Sequence, residues 1–122
     1  MLRSLIFIVC LLSFFSTSYG QVESTNKPQS YIFAEFETLS LSKIRQKMRA
    51  LGAPIRQDKE AQAYIINYGS VEAMRRRRKA LMTDRGYLEY DLSHVTFVDG
   101  SYRKNIKTII WIVPKGAPIP TP

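Results

Sequence analysis

The spacing of apolar and polar positions changes several times along the chain, and each change marks an element. From Tyr31 to Thr38 the period is two: Tyr31, Phe33 and Glu35 alternate with Ile32, Ala34 and Phe36, which predicts a first strand. After Ser40, read as a helix N-cap, apolar residues fall at Leu41, Ile44, Met48 and Leu51. This i, i+3, i+7, i+10 spacing makes one helical face, and Gly52 and Pro54 are the expected stop. Ala61 to Tyr68, centred on Tyr64-Ile65-Ile66, is nearly continuous in apolar character, as in a strand covered on both sides. Ser70 then caps a second helix, with Glu72 in the first turn, where the helix dipole favours a negative charge. That helix is expected to close at Arg85-Gly86. Tyr87 to Ser93 fits either a loop or a short edge strand. His94–Val98 and Ile106–Val113 read as a hairpin around Asp99-Gly100-Ser101, or around a loop reaching Asn105. Ile109 to Val113, the most hydrophobic stretch beyond residue 20, is expected to lie centrally in the sheet.

The order is therefore β-α-β-α-β-β, an α/β fold of the α+β sandwich type. Two helices lie on one face of a small mixed four-stranded sheet, with right-handed strand–helix–strand units joining parallel neighbours. The pattern leaves open whether the second face of the sheet is covered.

The two ends read differently. Met1 to Ser4 carries one positive charge, Leu5 to Phe15 is apolar except for Ser13, and Ser18-Tyr19-Gly20 sets small residues three and one positions before Gln21. This is the pattern of a signal peptide over residues 1–20, cleaved before Gln21. An apolar run of about 11 residues falls short of the roughly 20 needed to cross a bilayer, which argues against an uncleaved anchor. Cys10 follows Val9 inside that run, where lipoprotein processing wants a small residue. The expected organisation is a disordered lead-in at 21–30, one domain at 31–114 and an extended Pro-rich tail at 115–122. The expected location is periplasmic or secreted, with no membrane span in the mature chain.

Composition narrows the chemistry. The 122 residues carry a formal charge of +8, and cleavage would remove one cation, Arg3, together with Cys10, the single cysteine. A domain without cysteine has no disulfide scaffold, and with His94 as its one histidine it offers no zinc set and no thiol nucleophile. No phosphate-cradling glycine loop or paired-carboxylate motif occurs, so no cofactor, metal or catalytic residue is assigned. A small exported hydrolase using His94 with Asp91 or Asp99 is the alternative to a non-enzymatic domain.

Arg75-Arg76-Arg77-Arg78-Lys79 is the most conspicuous run. Consecutive helical positions turn by about 100°, so the five cannot share one face. Val71, Met74, Leu81 and Met82 set the expected apolar side. Arg78 falls among them and is expected to lay its stem along the core. Arg75, Arg76 and Lys79 are the candidate anion-binding set. They form a solvated face carrying a Glu72–Arg76 pair, an anion-binding surface, or a processing site for basic-residue proteases. The expected partner is an anionic cell-envelope polymer or an envelope protein. Nucleic acid fits poorly: the common RNA-binding sheet runs β-α-β-β-α-β, and neither Tyr31–Ala34 nor His94–Val98 carries its aromatic and glycine signature.

Ala63-Tyr64-Ile65-Ile66-Asn67-Tyr68-Gly69, Val98-Asp99-Gly100-Ser101-Tyr102-Arg103 and Trp111-Ile112-Val113-Pro114 together resemble a group of uncharacterised exported bacterial domains, over roughly residues 31–117. That group is similar in element order to the peptidoglycan-binding C-terminal domain of outer membrane protein A, a likeness that implies an envelope location and wall binding. The wall-binding family follows its second strand with a Gly-x-Thr-Asp loop, whose aspartate acts with a helix arginine on the ligand. Here Asn67-Tyr68-Gly69-Ser70 stands there instead, no acid occurs between Glu60 and Glu72, and the arginine position falls on Ala73 or Met74.

Overall fold

The computed structural model describes residues 27–82, 88 and 90–122. The expected signal peptide, the cleavage point before Gln21, most of the lead-in and the helix end at Arg85-Gly86 lie outside the described residues. The elements run β1 (Tyr31–Phe36), α1 (Leu41–Ala50), α2 (Gly52–Gln57), β2 (Gln62–Tyr68), α3 (Val71–Met82), a 3-10 turn (Leu92–His94), β3 (Val95–Asp99) and β4 (Lys107–Val113). The strands form one open mixed sheet in the order β1-β4-β2-β3, giving an α+β fold. β4 pairs antiparallel with both β1 and β2, and β2 pairs parallel with β3.

Local chemistry accounts for the helix starts. The Ser40 side chain accepts the Lys43 N–H at the head of α1, and Ser70 Oγ accepts the Ala73 N–H at 3.1 Å at the head of α3. Each cap satisfies one of the backbone donors that a helix start leaves without a partner, which is typically worth about 1 kcal/mol. Ile44 and Met48 of α1, Leu51 after it, Ile55 of α2 and Leu81 of α3 form one buried cluster with Phe36, Ala63, Ile65, Ile110 and Ile112. Burying each of the larger aliphatic side chains contributes about 1.5–3 kcal/mol. Because side chains alternate along a strand, Asn67 and Thr108 share the helix-facing side with these residues, and both are fully buried. Ile66 is buried on the opposite side, so β2 is covered on both faces as its continuous apolar run implies. β4 is likewise an inner strand.

Four sequence expectations need correction. β3 and β4 do not form a hairpin, because β2 lies between them. Residues 100–106 pass over the end of β2, where seven residues comfortably cover two strand spacings of about 10 Å in all. The Gly100 N–H donates to the Asn67 carbonyl at 2.7 Å, and the Gly69 N–H donates to the Ser101 carbonyl at 3.3 Å, fixing the crossing. Gly100 therefore serves close approach rather than a hairpin turn: a Cβ there would stand 2.5 Å from Tyr68 Cδ1. β4 also separates β1 from β2, so of the two strand–helix–strand units only β2-α3-β3 joins neighbouring parallel strands.

Gly52 does not stop the first helix. Leu51 stays in right-handed helical conformation, and Gly52–Gln57 continues as α2. Pro54 sits in the first turn of α2, where its missing N–H removes no helical bond. Ile55 is buried and ties α2 to the core. Gly52 instead admits the Tyr90 ring, whose Cδ1 would lie 3.3 Å from an added Cβ.

The second face of the sheet carries a row formed by Ile32, Trp111 and Tyr64 on adjacent strands. Lys27–Ser30 and residues 116–120 meet beside this row. Ser30 Oγ donates to the Pro118 carbonyl, and the two segments line, with Trp111, an open pocket of about 460 Å³.

Candidate functional site

The helix layer is where charge concentrates. α1 carries Lys43, Arg45, Lys47 and Arg49, and α3 carries Arg75, Arg76, Arg77, Arg78 and Lys79. Against these nine cations the two helices hold a single acid, Glu72, so the layer is strongly positive.

Arg75, Arg76 and Lys79 are all exposed, as the spacing implies. Arg75 Nη1 and Arg76 Nε both reach Glu72, at 3.2 and 3.4 Å, with the arginine side chains 72% and 77% exposed. One carboxylate shared between two solvated guanidiniums holds neither firmly, since such pairs contribute only about 0.2–1 kcal/mol. The expected Glu72–Arg76 pair is present, joined by Arg75.

The fourth correction concerns which arginine turns inward. Met74, Arg77 and Leu81 are the buried positions of α3, whereas Val71 is 70% exposed. The stripe is thus i, i+3, i+7 from Met74, and Arg77 rather than Arg78 occupies its centre. Arg78 is half-buried at the edge, where its Nη2 pairs with Asp99 Oδ1.

Arg77 joins a polar cluster within the core. Its Nη1 donates to Thr108 Oγ1 at 2.7 Å, and its Nη2 donates to the Glu37 carbonyl at 2.6 Å. Thr108 Oγ1 in turn donates to Asn67 Oδ1 at 2.7 Å. The guanidinium lies 5.0 Å from the Phe36 ring centroid, a cation–π contact. Desolvation by burial lowers the Arg77 pKa from its ordinary value. Among the described residues no carboxylate forms an ion pair with it. The signal available in the sequence was the inward alternation of Asn67 and Thr108, two polar groups that need a third partner on the facing helix.

A cleft of about 280 Å³ opens beside this cluster, lined by Leu39, Ile44, Ala73, Ala80 and Ile106 together with Arg76 and Arg77. A second hollow, of about 300 Å³ on α1, is lined by Ser42, Arg45, Gln46 and Arg49.

Of the two flanking aspartates, Asp91 adjoins His94 and Asp99 does not: the His94 N–H donates to the Asp91 carbonyl at 3.2 Å. Asp99 ends β3, at the far end from His94, and its carboxylate engages Arg78. Asp91 caps the 3-10 turn by accepting the Ser93 N–H at 2.9 Å. That bond is the main cause holding the Asp91 carboxyl below its usual range, with a smaller contribution from His94. His94 Nδ1 is buried and, among the described residues, has no hydrogen-bond partner. Among the described residues no group of acids, histidines or cysteines is placed to hold a metal, and no helix is long and apolar enough to cross a membrane.

Comparison with protein-family models, with curated proteins and with solved structures returned no match.

Proposed function

We propose that this chain is an exported, non-enzymatic cell-envelope domain, binding or structural, whose basic helix surface contacts an anionic envelope polymer. One observation carries the reading: nine cations against one acid on α1 and α3, with Arg75, Arg76 and Lys79 facing outward. The signal-peptide pattern of residues 1–20 supplies the location. The resemblance in element order to the wall-binding C-terminal domain of outer membrane protein A supports a wall-associated partner. Its ligand residues are not carried over, so contact through the basic helix surface replaces them in this proposal.

The test is co-sedimentation of the purified domain with isolated peptidoglycan across a salt series. Binding through exposed cations falls steeply between low and physiological salt, because such contacts release counterions and are screened over about 8–10 Å. Replacing Arg75, Arg76 and Lys79 together with glutamine abolishes sedimentation and leaves the melting temperature nearly unchanged, since exposed helix charges contribute little to stability. Full, salt-insensitive binding by the triple variant would sink the reading.

A further inference from the structure

We propose that the cleft beside Arg77 is a receptor for a carboxylate carried on a short aliphatic group, as at a peptide C-terminus. The proposal rests on the reading of the helix layer as an anion-facing surface, and it names the chemical group taken at one place in that layer.

The starting point is a buried cation with which, among the described residues, no carboxylate pairs. Arg77 is 6% exposed, and a desolvated charge is costly unless it is paired and hydrogen-bonded. The bonds to Thr108 and Glu37 are to neutral oxygens and engage two of the five N–H donors a guanidinium offers. Thr108 and Asn67 fix the orientation of one Nη, and the Phe36 ring lies 5.0 Å from the Arg77 guanidinium carbon. A planar fork held in this way is preorganised for a two-oxygen anion.

The cleft supplies the rest of the recognition. Arg77 lines it, and Arg76 lines it from the exposed side of α3, so two guanidiniums border the same space. The remaining lining is aliphatic, with Ala73 and Ala80 keeping it open on the helix side. A hydrated inorganic anion gains nothing from those walls, whereas an aliphatic stem attached to a carboxylate buries apolar surface against them. The volume of about 280 Å³ lies just below the usual range for ligand pockets, about 300–1,000 Å³. It suits one small group rather than a chain.

N-acetylalanine is the probe, with N-acetylalanine amide and inorganic phosphate as comparisons, all at one ionic strength set with chloride. The Arg77 Nε–H resonance is followed by NMR in the full mature domain. Saturable movement with N-acetylalanine, none with the amide, and weaker movement with phosphate is the expected result. Arg76→Gln weakens the response about ten-fold or more, the usual loss for a charge-assisted hydrogen bond. Ala80→Met leaves both guanidiniums in place, fills the cleft and removes the response. Unchanged binding in Ala80→Met, equal response to the amide, tighter binding of phosphate, or no saturable movement with any probe each overturns the proposal. Peptidoglycan co-sedimentation of the same variants separates the two readings. If Ala80→Met still sediments in a salt-dependent way and shows no cleft response, the surface stands and a role for the cleft in polymer contact fails. If the wild type does not sediment at all, the surface reading fails, and the N-acetylalanine titration still decides the cleft.

Discussion

Thr108→Val tests the core polar cluster with minimal change of shape. The Thr108 hydroxyl is fully buried and makes two bonds of 2.7 Å, accepting from Arg77 and donating to Asn67. Valine keeps the branched outline and offers neither bond. Leaving a buried amide oxygen without its donor costs about 1–3 kcal/mol, and removing one acceptor from a buried guanidinium costs at least as much. The added methyl returns roughly 0.8 kcal/mol of apolar burial. The net expectation is a loss of about 2–4 kcal/mol, or roughly 8–30 °C in melting temperature for a domain of this size. Urea unfolding followed by circular dichroism measures it, with an unchanged slope showing that compactness is retained. Thr108→Ser keeps the hydroxyl and should lose only about 1 kcal/mol. Arg77→Met added to Thr108→Val should cost less than the sum of the two single changes, because the second removes a donor already orphaned by the first. A Thr108→Val domain within about 0.5 kcal/mol of wild type, or strict additivity in the double variant, refutes the cluster as drawn.

Gly100→Ala should destabilise by about 1–3 kcal/mol through overpacking, because its Cβ meets two Tyr68 ring carbons at 2.5 and 2.6 Å. Adding Tyr68→Ala should cancel most of that steric penalty in a double-mutant cycle of melting curves. Ile110→Ala, at a position with no exposure, should cost about 2–5 kcal/mol. Trp111→Ala, on the second face beside the chain ends, should cost less and should speed proteolysis of the tail, because it removes the floor on which residues 116–120 rest. If Trp111→Ala proves the more destabilising of the two, the assignment of faces is wrong.

The strands were legible because each has a period that survives in one dimension: alternation in β1, and unbroken apolar runs in β2 and β4. The neighbours of each strand were not. Pairing depends on where the chain returns in space, and nothing in Val95–Asp99 records that it runs parallel beside β2 rather than back against β4. The glycine at 100 invited a turn reading because turns and close approaches both select glycine. Only the Tyr68 ring at 2.5 Å from its absent Cβ tells the two apart. Gly52 misled for a related reason, since Leu51 keeps helical angles and lets α2 follow at once.

The arginine run shows how small an error in phase changes the reading of a site. Counting Val71 and Met82 as inward draws the apolar stripe through Arg78. Dropping Val71, which is 70% exposed, draws it from Met74 to Leu81 through Arg77. One position on a helix is about 100° of rotation, and it decides which of four identical side chains leaves water. Composition could not choose among them, but the strands could. Asn67 and Thr108 alternate inward with Ala63, Ile65, Ile110 and Ile112, and two polar groups sealed under a helix require a partner that the helix itself must supply. With inward leucine in place of Arg77, Thr108 Oγ1 and the Glu37 carbonyl would each lose a donor. The cluster and the inward arginine therefore require each other.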